Sequence, residues 1–274
     1  MLAVVLGLAS GLSWGVADFV GGLASRRVAA IAVVATTQSV GLVVAVVAIA
    51  ATATGPPPAD QILFGLAAGA IGGAGLVAFY RGLAVGSMTL IAPISALGAL
   101  VPVTVDLAAG RDPGPVVLTG MVAALAGACL AAAAPGPAVR RGLGLAAIAA
   151  LGFGSFFTLF SRAAEDSPLW ALGSARVASV PLALLALGAV GGTLRMPRRT
   201  LALVGGAGLL ESPANRMFAA GTREGLTSVV AVLGSLYPVT TVALASVVLG
   251  ERLGRLQAAG AALALLGVVL IAAG

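Results

Sequence analysis

The chain of 274 residues has no histidine and no lysine, one cysteine, two tryptophans and two tyrosines, and only 9% of it is charged. Each shortage excludes something. Without histidine there is no imidazole base and no histidine-ligated metal site, and without lysine there is no Schiff base and no phosphate-loop lysine. A lone cysteine, Cys129, rules out a disulfide scaffold. Charge at 9%, against about 25% in soluble domains, leaves too little hydrated surface to wrap a water-soluble core.

What the sequence does have is 60% apolar residues, 39 glycines and a mean hydropathy of +1.13. This is the composition of a membrane protein, with lipid as its first partner. The formal charge of +6 comes from 15 basic residues, all arginine, set between apolar runs. Such spacing is a topology signal and not a phosphate-binding face, so no nucleic acid is expected as a partner. No cofactor, metal or catalytic residue is expected either.

A bilayer core about 30 Å thick takes about 20 residues of helix to cross. Cutting the chain where charge, proline and glycine interrupt the apolar runs leaves ten segments, at 2–24, 29–53, 61–80, 85–108, 115–134, 143–162, 168–192, 200–221, 226–249 and 254–273. The first could pass for a signal peptide, but it lacks a basic start and has a counterpart later in the chain. That counterpart belongs to an internal repeat. Trp14-Gly15 aligns with Phe153-Gly154, and Phe79, Gly82, Gly86 and Ala92 align with Phe218, Gly221, Gly225 and Ala231, at an offset of 139. Past the next loop the offset is 140 and pairs Gly110, Gly120 and Gly127 with Gly250, Gly260 and Gly267.

The expected fold is therefore an all-α polytopic membrane protein of ten transmembrane helices, built as two five-helix repeats at 1–136 and 137–274. Five is odd, so the second repeat must run in the opposite sense to the first. Inverted repeats are the usual architecture of secondary transporters, which expose a midplane site alternately to each side.

Leu12-Ser13-Trp14-Gly15 with Asp18-Phe19, Tyr237-Pro238, and Gly250-Glu251-Arg252-Leu253 followed by Gln257-Ala258-Ala259-Gly260 resemble the EamA-like family of the drug/metabolite transporter superfamily. The first half is the more degenerate copy: Arg111-Asp112-Pro113 replaces the Glu-Arg pair, and Gln38 stands where the second half has Arg176. The resemblance implies a ten-helix carrier or exporter of small metabolites, with spans five and ten packed outside a central cavity. It implies no particular substrate.

Two acids fall deep inside spans, where a charge costs about 2.5 to 3.5 kcal/mol on insertion scales and needs a cavity or a partner. Asp18 lies about 12 Å inside the first span and shares a helix face with Trp14, four residues away. A carboxylate beside an aromatic suits a cation, an amine or a proton. Its alternative is a fixed pair with an arginine of another span. Glu211 lies about 16 Å into the eighth span, on one face with Asn215, and is the candidate for proton coupling. Its alternative is a structural pair with Arg176, which could also meet a substrate anion. Gln38, Tyr80 and Tyr237 are further candidate hydrogen-bonding groups. A helix broken at Pro93 or Pro238 would line the cavity.

Gly11-Leu12-Ser13-Trp14-Gly15 matches the spacing of a hydrolase elbow, which needs a strand-to-helix turn and a base that this chain lacks. Gly7, Gly11 and Gly15 instead make a smooth helix face for close packing. Gly120 with Gly127, and Gly260 with Gly267, spaced by seven, suggest packing seams in spans five and ten.

The expected function is a secondary transporter of a small polar or amphipathic metabolite, amino-acid-like or drug-like, working by alternating access with proton coupling open. Export follows from the resemblance. The alternatives are a flippase for lipid-linked headgroups and a non-transporting membrane scaffold. The expected location is the cell membrane, as a multi-pass monomer or homodimer. Most arginines fall in loops after odd-numbered spans, which places both termini outside the cytoplasm. The resemblance implies the reverse, and both orientations stay open.

Overall fold

The computed structural model describes residues 1–85, 88–132, 142–249 and 254–274. Gly86, the loop from Pro135 to Arg141, and Gly250-Glu251-Arg252-Leu253 lie outside the described residues. Twelve helical segments follow one another: α1 (Leu2–Ser25), α2 (Ala30–Thr52), α3 (Ala59–Val85), α4 (Met88–Ala96), α5 (Leu100–Ala108), α6 (Pro115–Ala132), α7 (Leu143–Ala163), α8 (Pro168–Ala189), α9 (Arg198–Glu224), α10 (Thr227–Gly234), α11 (Tyr237–Leu249) and α12 (Arg255–Ala273). There is no strand among the described residues.

Helix ends follow local chemistry. Ser167 caps α8 by accepting the backbone N–H of Trp170 at 3.3 Å, with Pro168 in the first turn, where its missing N–H costs nothing. Gly142, at φ 97°, supplies the left-handed turn that starts α7.

Among the described residues six helices, α1, α2, α3, α7, α8 and α12, are long and apolar enough to cross a membrane. The fourth and ninth expected spans are broken. A 3₁₀ turn at Leu97–Ala99 separates α4 from α5, and Ser235-Leu236 separates α10 from α11. Proline explains both, since Pro102 and Pro238 offer no N–H to the carbonyls of Gly98 and Gly234, four residues back. The break foreseen at Pro93 is not there: α4 runs through it, and the interruption comes nearer to Pro102.

Each broken span lies on a small-residue face of another helix. A Cβ at Gly11 on α1 would sit 2.8 Å from the carbonyl oxygen of Gly234, and one at Gly154 on α7 would collide with the carbonyl oxygen of Gly98. Backbone approach of this kind replaces the hydrophobic drive that lipid cannot supply. Elsewhere α1 packs on α9, α3 on α7 and α8, α2 on α8 and α9, and α6 on α12. Val43, Val46 and Val47 on α2, Leu185 on α8 and Leu265 and Val269 on α12 point outward, as lipid-facing residues should.

Candidate functional site

At mid-length of the helices lies a cavity of about 80 Å³, lined from α1, α2, α3, α7, α8, α9 and α11. By this measure one water needs about 10–15 Å³, so the space has room for a handful of waters. Trp14, Asp18, Gln38, Arg176, Glu211, Asn215 and Tyr237 all reach it. Tyr80 stands behind and donates to Asp18 Oδ1 at 3.2 Å.

The polar centre is a network between α2, α8 and α9. Arg176 Nη2 meets Glu211 Oε2 at 3.4 Å, and Nη1 donates to Gln38 Oε1 in a close contact. Gln38 returns its Nε2–H to Glu211 Oε2 at 3.1 Å, and Ser179 donates to Gln38 Oε1 at 2.9 Å. Arg176 and Glu211 are each 5% exposed, so neither charge is screened by water and each requires the other. Gly41 makes room for the guanidinium, because a Cβ there would lie 2.7 Å from Arg176 Nε. Asn215 donates to the backbone carbonyl of Glu211 at 2.6 Å while its residue borders the cavity.

Asp18 takes no part in an ion pair among the described residues. Of the two alternatives weighed for these acids, the fixed arginine partner therefore falls to Glu211 and not to Asp18. Tyr237 is held by Ser95 at 2.5 Å and by the carbonyl of Ala92 at 3.3 Å, which anchors the start of α11 to α4.

Aromatic rings bound the cavity. Trp14 lies 5.6 Å from both Phe157 and Phe218, whose own rings stack at 5.0 Å. On the other side Phe79, Phe153 and Tyr237 meet edge to face at 5.4 to 6.4 Å. Beyond the first cluster, at the ends of α5, α7 and α9, a polar vestibule of about 330 Å³ holds Asp106, Arg111, Ser161, Arg162, Glu165 and Arg223.

The glycine faces sit as close contacts. Gly7, Gly11 and Gly15 meet Leu233, Gly234 and Thr240. A Cβ on Gly120 would come within 2.8 Å of the Gly267 carbonyl oxygen, and one on Gly127 within 2.7 Å of that of Gly260.

Residues 140–273 match the profile of the EamA-like transporter family. The second half of the chain is thus similar to that family. EamA-like proteins are membrane transporters, and the apolar helices of this chain agree with a multi-pass membrane protein. A solved structure, described only as the crystal structure of a protein, superposes on this chain with a TM-score of 0.80. It covers 98% of this chain and 96% of its own at 19% identity, which shows the fold alone. No curated protein matches.

Sequence reasoning passed over four features of the site. Ser179 and Ser95, each polar partners of a singled-out residue, gave no signal of their own. The run Phe153, Phe156, Phe157 and Phe160 holds half of the eight phenylalanines and could have been read as a lining. Asp106, 2% exposed, could have been found by the same test of intramembrane acids that found Asp18. It accepts the backbone N–H of Ser228 at 2.8 Å and pairs with Arg111 at 3.2 Å, capping α10 from α5.

Proposed function

We propose that this chain is a secondary transporter of the cell membrane that exports a small polar or amphipathic metabolite by alternating access. Two five-span units, 1–136 and 137–274, would move against each other in opposite orientation around the central cavity. The observation that carries this reading is the cavity itself. It sits at mid-length of helices from both units, holds an unpaired carboxylate and a buried ion pair, and has an aromatic cluster on either side.

The helix contacts support the inverted arrangement. When each helix is exchanged for its repeat counterpart, α1 on α9 becomes α7 on α3, and α1 on α10 and α11 becomes α7 on α4 and α5. The pairs α2 with α8 and α6 with α12 map onto themselves. A twofold axis in the membrane plane would produce such a pattern. Gln38 and Arg176, one residue from exact correspondence at the offset of 139, touch one another, as residues near such an axis would.

Asp18 and Glu211 are the proposed coupling groups: a proton can neutralise Asp18, which has no ion-pair partner among the described residues, and a proton on Glu211 would loosen its pair with Arg176. The test is flux in liposomes with and without an imposed pH gradient. Substrate uptake that rises with the gradient supports coupled export. Flux indifferent to it removes the coupling, and absence of flux for any metabolite class removes transport.

A further inference from the structure

The one guanidinium of the cavity is already committed to protein partners. Arg176 Nη1 goes to Gln38 and Nη2 to Glu211 Oε2 at 3.4 Å, while Nε, facing the α2 backbone at Gly41, has no hydrogen-bond partner among the described residues. Glu211 answers with one oxygen only. Its Oε1 is buried without a hydrogen-bond partner among the described residues, and the Thr37 hydroxyl beside the carboxylate lies 3.2 Å from the carbonyl of Val34. Asp18 receives one hydrogen bond among the described residues, from Tyr80, and has no cation beside it. The lining thus carries one more carboxylate than guanidinium, in a space where an uncompensated charge is costly. Trp14, Phe153 and Phe157 add aromatic rings, whose faces attract cations.

We infer that the central cavity binds the ammonium group of a small organic amine between Asp18 and Glu211, with the apolar body of the amine against Trp14, Phe153 and Phe157. This rests on the transport reading for the amine's passage, and it names the substrate class. A free carboxylate or phosphate would meet two acids and a single guanidinium already paired with Glu211. A zwitterion would have one end matched and the other not. An alcohol of the same shape would leave the charge of Asp18 unanswered. The cavity, at about 80 Å³, has room for the head group, and the body of the ligand would lie against the aromatic rings that line it.

The test uses the full chain in detergent with Trp170→Phe, which leaves Trp14 as the one tryptophan in the sequence. Trp170 lies at the start of α8, bonded to the Thr54 carbonyl at 2.9 Å, away from the cavity lining. Trp14 fluorescence is titrated with 2-phenylethylamine, 2-phenylethanol, phenylalanine and 3-phenylpropionate, and the same four are then tried in liposome counterflow. The amine should bind at least about tenfold tighter than the alcohol, and Asp18→Asn should weaken it about 100-fold while Asp18→Glu retains it. Melting curves without ligand show whether Asp18→Asn still folds, and if it does not, the amine-to-alcohol ratio in the chain with Asp18 intact decides. Tighter binding of the acid, the zwitterion or the alcohol overturns the inference and, if that compound also exchanges, leaves transport standing. Amine binding that depends on Asp18 but gives no counterflow upholds the site and overturns transport. No response to any of the four overturns the amine site.

Discussion

Two helix contacts in this chain join helices by opposite means. α6 and α12 meet backbone to backbone through Gly120, Gly127, Gly260 and Gly267, and their only charged residue is Arg255 at the outer end of α12. α2, α8 and α9 meet through Gln38, Arg176, Ser179 and Glu211, all buried. Interhelical polar contacts in membranes average under about 1 kcal/mol, while each buried ion costs several to desolvate. The glycine seam therefore shows that this fold can close without charge, and the polar cluster is an expensive way to hold three helices. A cost of that kind is tolerable where the cluster also shapes the ground on which a ligand is received.

The largest expected effect breaks the polar side of the comparison. Glu211→Gln leaves Arg176 buried without its counter-ion and should destabilise the chain by about 3–5 kcal/mol in reversible unfolding from micelles. Replacing both partners, as Arg176→Met with Glu211→Leu, should recover most of that loss, since an apolar pair has no charge to bury. A single variant as stable as the parent would mean that the ion pair does not hold α8 to α9.

Next comes the glycine side. Gly267→Leu would push a side chain into the α6 backbone at Ala124 and should cost about 1–3 kcal/mol or more, with α6 and α12 no longer cross-linking through introduced cysteines. Unchanged cross-linking would show that the seam has slack to take a side chain at Gly267. Asp106→Ala removes a helix cap and an ion-pair partner together, and a loss of about 1–2 kcal/mol is expected in the same unfolding assay. The smallest is Ser95→Ala, about 0.5–1.5 kcal/mol, because Tyr237 keeps its second acceptor on Ala92.

Much of this was legible from residue types alone. Acids eight and more residues inside apolar runs had to be at a cavity or a pair, and glycines at spacings of four and seven had to be at backbone contacts. The sequence could not say which acid would take the arginine. Asp18, Glu211 and Arg176 sit on three helices, and the rotation of one helix against another is set by packing, which no local pattern encodes. The interruption in the fourth span shows the same limit. Two prolines compete there, and Pro102 decides it because its freed carbonyl belongs to Gly98, which already lies against Gly154.

The makeup of α9 bears on how the protein is made. α9 is not among the helices apolar enough to cross a membrane unaided, and it carries Glu211, Asn215 and Arg216 in its middle turns. Leaving the translocon alone would expose an acid and an arginine to lipid, at about 2.5 to 3.5 kcal/mol each. Its partners on α1, α2 and α8 are all synthesised before it, so Gln38 and Arg176 are in place to receive Glu211 when it emerges. Biogenesis of this bundle is thus ordered by its charges: the early, greasy helices insert by themselves, and the helix that carries the chemistry enters by templating on them.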